Sequence, residues 1–161
     1  MASFTPRFDS TGMQGSIYWY SGNPFYNSGY GLPNCTCYAW GRIYELLGYA
    51  PTWLSTGNAK DWFPNAQAVS PQYCGTSPKL GAILCTYYEK GGHVAVVEQI
   101  NEDGSIITSN SGYSSGIYFW TETLYPGYLT GWAPSGAYVQ GFIYTPVAFS
   151  MGVSFVRWIP G

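Results

Sequence analysis

Charged residues and histidine are scarce in this sequence, and their scarcity excludes several classes of function. Only 9% of the 161 residues are charged, the formal net charge is −2, and there is a single histidine. The six basic residues form no cluster, whereas nucleic acids and anionic membranes are bound through clustered Lys and Arg. We therefore expect no nucleic acid and no membrane surface as a partner.

Cysteine is limited to four residues, Cys35, Cys37, Cys74 and Cys85. Their spacing does not match a zinc finger or a zinc ribbon, and one histidine cannot complete such a site. We expect no metal site and no cofactor. A disulfide between two of Cys37, Cys74 and Cys85 is compatible with the sequence. The number of cysteines leaves Cys35 free to be a thiol.

Long apolar runs are also missing. No stretch of about eighteen apolar residues occurs, so no membrane insertion is predicted. The opening residues Met-Ala-Ser-Phe-Thr-Pro-Arg contain no apolar signal region, so we expect no secretory peptide.

Aromatic side chains and glycine are abundant instead. Apolar residues make up 46% of the chain and aromatic residues 19%, with 16 Tyr, 7 Trp and 21 Gly. This composition supports a sizeable core and predicts a protein rich in β-structure, with flat amphipathic side chains that suit sugar and peptide polymers. We expect one domain over residues 1–161, with an irregular segment at 1–33, a core at 34–145 and a C-terminal strand within 146–161.

Two helices are indicated near the middle of the chain. Asn34 is a good N-cap, the apolar spacing predicts a helix over Cys35–Leu47, and Gly48 is a natural terminator. A second, short helix is predicted over Ala59–Ala66, capped by Asn58 and ended early by Pro64.

The remaining elements are predicted strands. The predicted strands are Leu80–Tyr88, His93–Ile100, Ser105–Ser109, Ile117–Trp120, Tyr138–Tyr144 and Val153–Ile159. A tight turn at 101–104 predicts a hairpin between the second and the third of these strands. A helix packed on an antiparallel sheet is an α+β arrangement.

Cys35 lies at the predicted start of the first helix, where free backbone N–H groups and the positive end of the helix dipole favour a thiolate. The same N–H groups suit an oxyanion. We therefore expect the pKa of Cys35 to be lowered. The alternative is that Cys35 is a small buried residue, since free cysteine is often part of a core.

His93 follows Gly91-Gly92 and opens a predicted strand. A lone histidine is often structural. A cysteine on a helix and a histidine on a sheet, however, form the arrangement of papain-like hydrolases, in which the imidazole removes the thiol proton.

Several ordered blocks of sequence resemble the CHAP domain, a cysteine- and histidine-dependent amidohydrolase/peptidase module of phage lysins and bacterial autolysins. They are NCTCYAWGR at 34–42, GNAKDW at 57–62, GAI at 81–83, GHVAVVE at 92–98 and GFIY at 141–144. The resemblance runs from about Pro33 to Tyr144. It implies a papain-like α+β fold and hydrolysis of an amide or peptide bond in peptidoglycan, with Cys35 as nucleophile and His93 as general base.

The resemblance also implies a polar group that orients the imidazole, one strand after the histidine. Many CHAP domains have Glu near this point, whereas this chain has Asn110, so we expect a Cys-His-Asn site, with Ser109 or Ser111 as alternatives. Some CHAP domains bind calcium through Asp-rich loops before the nucleophile. Residues 10–34 contain no Asp or Glu, so no calcium is expected.

Further residues are assigned by the same argument. The backbone N–H of Cys35 and the side chain of Asn34 are predicted to stabilise the oxyanion. Aromatic residues are predicted to contact the substrate, namely Trp40, Trp62, Tyr113 and Trp120, with Tyr26 and Tyr30 as further candidates.

Three other functions compete with this prediction. An inactive module would bind peptidoglycan or serve in a virion without turnover, and a papain-like protease would act on proteins. A glycosidase would need two carboxylates, but most acidic residues here are expected on solvated surface, with Glu45 facing solvent or paired with Arg42. For the hydrolase we expect a monomer, delivered to the cell wall as a phage endolysin through a holin or as part of a tail, alongside other lysin or tail domains.

Overall fold

The computed structural model describes residues 4–148, which form a six-stranded antiparallel sheet with helices packed against it. The helices are α1 Pro24–Asn27, α2 Cys35–Leu47 and α3 Ala59–Val69, and a 3₁₀ helix spans Pro71–Tyr73. The strands are β1 Cys74–Gly75, β2 Ile83–Tyr87, β3 His93–Ile100, β4 Ile106–Gly112, β5 Ile117–Leu124 and β6 Tyr138–Ile143. They lie in the order β1-β6-β2-β3-β4-β5, with every neighbouring pair antiparallel. The predicted α+β class, with a helix on an antiparallel sheet, is confirmed.

Helix α2 has the predicted bounds, and local signals at both ends account for them. The Asn34 side-chain oxygen accepts the backbone N–H of Thr36 at 3.3 Å, as an N-cap does. At the other end Gly48 adopts a left-handed conformation with φ 79°, which a residue without Cβ reaches at low cost. The helix therefore begins one residue after its cap, with Cys35 in its first turn.

Helix α3 extends to Val69, so the prediction that Pro64 ends it at Ala66 is wrong. A proline inside a helix removes the N–H that would bond to the carbonyl four residues earlier. Here that carbonyl belongs to Lys60, and it accepts the side-chain N–H of Gln140 at 3.1 Å instead. This replacement bond, together with the burial of Trp62, allows the helix to continue past the proline.

The sheet separates two groups of apolar side chains. Helices α2 and α3 cover one face, where Ile83, Val94 and Val96 belong to the main core. On the other face, Val97 and Phe142 belong to a smaller cluster with residues from β4 and β5. Neighbouring residues of β3 thus point to opposite faces, as a strand requires.

The predicted strands from 80 to 144 are confirmed with adjusted ends. The turn at 101–104 joins β3 and β4 as the predicted hairpin, and β5 runs on to Leu124 rather than ending at Trp120. Within residues 4–148, three short elements were not predicted, namely α1, the 3₁₀ helix and β1. The predicted strand Val153–Ile159 lies outside the described residues.

A buried ion pair joins α2 to the sheet. The guanidinium of Arg42 donates through Nε and Nη2 to the two carboxylate oxygens of Glu98, at 2.9 Å each. Ser109 donates to Glu98 at 2.7 Å and accepts the hydroxyl of Tyr38 at the same distance. The predicted pairing of Glu45 with Arg42 is confirmed at 2.9 Å. Glu98 is therefore held in a structural ion pair, which argues against a role as a glycosidase acid.

Candidate active site

The first turn of α2 brings the thiol of Cys35 to the beginning of β3. Backbone N–H groups of Val94, Thr36 and Cys35 itself lie within hydrogen-bonding range of the sulfur. Val94 is the residue directly after His93, so this contact ties the start of the helix to the start of the histidine strand. Cys35 and His93 line the same groove.

The thiol of Cys35 is protonated at neutral pH. Burial raises its pKa from 9.0 to about 11, although the three N–H groups favour the thiolate. The expectation of a lowered pKa is therefore wrong, because desolvation of the partly buried thiol outweighs the three N–H groups. Deprotonation of Cys35 in the free protein consequently requires a base.

His93 is held by Asn110. The Nε2 atom of the ring lies 2.9 Å from Oδ1 of the amide, and both side chains are buried. The amide nitrogen of Asn110 donates to the hydroxyl of Thr108 at 3.1 Å and lies 3.4 Å from the carbonyl of Trp120. Since these acceptors fix the NH₂ end, Oδ1 faces the ring and Nε2 carries the proton. Nδ1 of His93 is then the nitrogen with a free lone pair.

The imidazole is neutral at neutral pH. Burial lowers the pKa of His93 below its usual 6.5, and this effect outweighs the hydrogen bond that the ring donates to Asn110 and the charge of Glu122, both of which raise the pKa. A neutral imidazole can accept a proton at Nδ1, which is the property that a general base needs.

The two serines proposed as alternatives to Asn110 are engaged elsewhere. Ser109 bonds to Glu98 and Tyr38 on the α2 side of the sheet. Ser111 accepts the backbone N–H of Asn34 at 3.0 Å. Of the three polar candidates on β4, Asn110 is the one whose side chain contacts His93.

Gly92 fixes the approach of the chain to His93. Its φ is +75°, and a Cβ there would lie 2.7 Å from the carbonyl oxygen of Thr86 and 2.8 Å from the backbone nitrogen of Lys60. The N–H of Lys60 donates to the carbonyl of Gly91 at 2.9 Å, so α3 packs directly on this turn. Glycine is required because no side chain fits between β2 and α3 at this point.

The groove around Cys35 and His93 has a volume of about 1070 Å³ and is open to solvent. This size suits an extended ligand better than a single small molecule. Its walls combine aromatic, hydroxyl, amide and a few charged side chains, among them Tyr30, Asn58, Asp61, Lys90, Tyr113, Ser114, Ser115, Trp120 and Trp132.

The aromatic residues predicted to contact substrate fall into two groups. Tyr113, which is 76% exposed, and Trp120 both line the groove. The prediction for Trp40 and Trp62 is wrong, because they are 4% and 0% exposed and belong to the core under α2 and α3. A buried indole cannot contact a polymer in the groove.

Asn34 also differs from its predicted role. Its Oδ1 accepts from the N–H and the hydroxyl of Thr36, and its Nδ2 donates to the carbonyl of Tyr30 at 3.0 Å. These bonds direct the side chain to the helix end and to the preceding loop. The prediction for the Asn34 side chain is therefore wrong, because that side chain is a structural N-cap. The backbone N–H of Cys35 is the oxyanion candidate that is left.

One groove residue that contacts the histidine directly was not predicted from the sequence. Trp132 lies with its ring edge-on to His93, at 4.9 Å between ring centroids. It belongs to the connection between β5 and β6, far from His93 along the chain. No local spacing signal links a loop tryptophan to a histidine on another strand.

The other cysteines lie apart from this groove. All four cysteines are free thiols, and Cys37 and Cys85 are buried. Over residues 4–148 no three His, Cys, Asp or Glu side chains are grouped closely enough to hold a metal ion. In the same range no helix is long and apolar enough to cross a membrane.

The chain is similar to known proteins over its central part. The CHAP domain family matches residues 25–112, more than half of the chain and the part that contains Cys35, His93 and Asn110. Staphylococcal secretory antigen SsaA of Staphylococcus aureus is 40% identical over 96 residues, which cover 60% of this chain and 34% of that protein. Secretory antigen ssaA2 is 38% identical over 110 residues, or 67% and 38% of the two chains.

A solved structure is similar over a comparable stretch. It is an N-acetylmuramoyl-L-alanine amidase from Staphylococcus aureus, 28% identical, with a TM-score of 0.47 over 68% of this chain and 30% of that one. The present chain thus spans about a third of the length of the relatives it matches. On the family match and the sequence blocks that agree with it, the chain belongs to the CHAP domain family.

Proposed function

We propose that this protein is a cysteine hydrolase that cleaves an amide or peptide bond in bacterial peptidoglycan. The observation that supports it best is the meeting of Cys35, at the start of α2, with the His93–Asn110 pair in one open groove. Membership of the CHAP domain family agrees with this chemistry. In the proposal Cys35 is the nucleophile, His93 the general base and Asn110 the residue that orients the imidazole.

The first half of the reaction forms a thioester. Nδ1 of His93 removes the proton of Cys35 as the sulfur attacks the carbonyl carbon of the scissile bond. The carbonyl oxygen becomes an oxyanion that the backbone N–H of Cys35 can stabilise. The imidazolium then gives its proton to the leaving amine, the carbon–nitrogen bond breaks, and the acyl group stays on sulfur.

The second half releases the acyl group. His93 takes a proton from water, the resulting hydroxide attacks the thioester, and the sulfur leaves and regains its proton from the imidazolium. Asn110 keeps the proton of the ring on Nε2 through both halves, so that Nδ1 is the nitrogen that exchanges protons with the sulfur in this proposal. An amide performs this orientation without contributing a charge.

The groove supports a polymeric substrate. Tyr113 and Trp120 offer flat amphipathic surface on its wall, and Ser114 and Asn58 offer polar groups beside it. We propose that the glycan–peptide strand lies along these residues with the scissile carbonyl over Cys35. The protein would then act on the cell wall outside the membrane. Delivery by a phage, as an endolysin or a virion part, stays a prediction, and the relatives reported above are bacterial secretory antigens.

Release of soluble material from purified peptidoglycan tests this proposal. We expect the wild type to clear a suspension of sacculi and Cys35→Ala to leave it turbid, whereas Cys74→Ala, which changes a thiol outside the groove, should clear it normally. Binding of both wild type and Cys35→Ala to the wall without clearing would instead support an inactive binding module. Cleavage of a protein substrate with no effect on the wall would support a papain-like protease.

A further inference from the structure

The imidazole of His93 is enclosed by two tryptophans. Trp120 stacks on the ring with 5.9 Å between centroids and an interplanar angle of 21°, and Trp132 meets it edge-on at 4.9 Å and 86°. The two indoles also contact each other, at 6.1 Å. Although it lines a groove, His93 is only 6% exposed. The two indoles thus cover the ring and keep water from it.

The two tryptophans are supported differently. Trp120 lies on β5, paired directly with Asn110 of β4, so the sheet itself holds it. Trp132 comes from a loop and is 46% exposed, so its position depends on side-chain contacts.

Glu122 supplies that contact. Its Oε1 accepts the indole N–H of Trp132 at 3.2 Å, and its Oε2 accepts the hydroxyl of Thr130 at 2.5 Å. One carboxylate thus bonds two residues of the loop, and hydrogen bonds to a charged acceptor are stronger than those between neutral groups. Glu122 follows Trp120 by two residues on β5, so both side chains point to the same side of the sheet.

The charge of Glu122 also acts on the base. It raises the pKa of His93, against the effect of burial. The other ionisable side chains around the groove are Cys35 on α2, Asp61 on α3, and Tyr88 and Lys90 in the connection between β2 and β3, with Tyr30 and Tyr113 on its rim. Asn110, which contacts the ring directly, carries no charge.

We propose that Glu122 is a positioning residue of this active site, which fixes Trp132 against His93 and supplies the negative charge that Asn110 lacks. The inference rests on the proposed function, in which the imidazole must become an imidazolium in each half of the reaction. A carboxylate near the ring stabilises that cation, and the bound tryptophan keeps water from competing for it. This division of roles accounts for a site with an amide where many CHAP domains have an acid.

The single histidine of the chain makes the test direct, because an untagged protein gives one set of imidazole NMR signals. Glu122→Gln removes the charge while keeping an oxygen for Trp132. We expect it to lower the pKa of His93 by about half a unit or more. Trp132→Phe keeps a ring beside His93 but loses the bond to Glu122, and we expect kcat to fall about tenfold with little change in KM. Glu102→Gln, in the exposed turn between β3 and β4, should change neither quantity.

The titration separates this inference from the proposed function. If the pKa of His93 in Glu122→Gln equals the pKa in the wild type, the inference is overturned, whatever the activity of the variant. If the pKa falls as expected but the wild type releases nothing from peptidoglycan, the charge of Glu122 acts on His93 as inferred and the proposed substrate is wrong.

Discussion

Asn110 holds His93 by one edge of its ring, with Oδ1 of the amide 2.9 Å from Nε2 of the imidazole. The NH₂ end of the amide is bound to Thr108, so the side chain cannot turn over without losing that bond. The arrangement selects the tautomer in which Nδ1 is free to accept a proton. It also leaves the ring beside a neutral partner, which has consequences for the pH dependence of the site.

Two substitutions of Asn110 should distinguish its effect on the orientation of the His93 ring from the effect of a charge at this position. Asn110→Ala frees the ring, and we expect kcat to fall about tenfold to a hundredfold. Asn110→Asp places a carboxylate against the ring and should raise the pKa of His93. Because the base must be neutral to act, the acidic limb of the kcat/KM profile would move to higher pH. Asn65→Asp, the same change on the exposed side of α3, serves as the control, and an unmoved limb in Asn110→Asp would contradict the assigned contact.

The protonation state of Cys35 can be measured by its rate of alkylation. Iodoacetamide reacts with the thiolate, and the pKa of about 11 leaves little thiolate at neutral pH. Since the pKa of His93 is lowered, the imidazole is neutral above about pH 6.5 and provides no cation to stabilise the thiolate there. We expect the rate to rise about tenfold per pH unit through the neutral range. Cys35→Ala corrects for alkylation elsewhere. A flat rate between about pH 5 and about pH 8 would instead indicate a preformed thiolate–imidazolium pair.

Gly92 should be intolerant of a side chain. In Gly92→Ala the new Cβ meets the backbone of both β2 and α3, and the residue keeps a left-handed φ of +75°. Gly48→Ala is a matched control, because its φ is +79° but nothing lies within 4 Å of the added carbon. We expect the control to lose about 1 kcal/mol of unfolding free energy and Gly92→Ala to lose at least about 2 kcal/mol, with reduced activity. Urea unfolding of both variants measures the difference, and equal losses would show that the contacts at Gly92 are unimportant.

Removal of the charge on Glu98 should destabilise the fold. The change removes the buried counter-charge of Arg42 and leaves only the more exposed carboxylate of Glu45 beside it, and breaking a buried pair costs about 3 kcal/mol or more. We therefore expect Glu98→Gln to shift the urea midpoint strongly, and the exposed Glu102→Gln to change stability by less than about 0.5 kcal/mol. A loss in Glu98→Gln as small as that of its control would mean that the pair with Glu45 is enough to compensate the charge of Arg42.

Elements with local signals at both ends could be predicted from the sequence. Helix α2 is one example, because its cap at Asn34 and its terminator at Gly48 act on the nearest backbone groups. The extension of α3 past Pro64 could not be predicted, since it depends on Gln140, a residue distant in the chain. The strand of His93 was predicted with its observed bounds because Gly91-Gly92 marks its start.

The main residues of the site could be predicted from the sequence, but their burial and packing could not. Cys35 and His93 stand in sequence blocks that resemble the family, and Asn110 was predicted from its place one strand after the histidine. The structure places Cys35 and His93 in one groove and bonds Asn110 to His93. The raised pKa of Cys35 follows from burial, which a helix start alone does not reveal. Trp62 and Trp132 show the same limit, since only packing determines that one indole fills the core while the other lies against the base.

Mass spectrometry of peptidoglycan digests tests the central claim most directly. Purified walls with different cross-bridges would be incubated with the wild type and with Cys35→Ala, and the soluble fragments would be sequenced. We predict fragments with new amine and carboxyl ends, released only by the wild type, whose identity distinguishes an amidase from an endopeptidase. Identical fragments from Cys35→Ala, or no fragments from any wall, would contradict the account of a thiol-dependent peptidoglycan hydrolase.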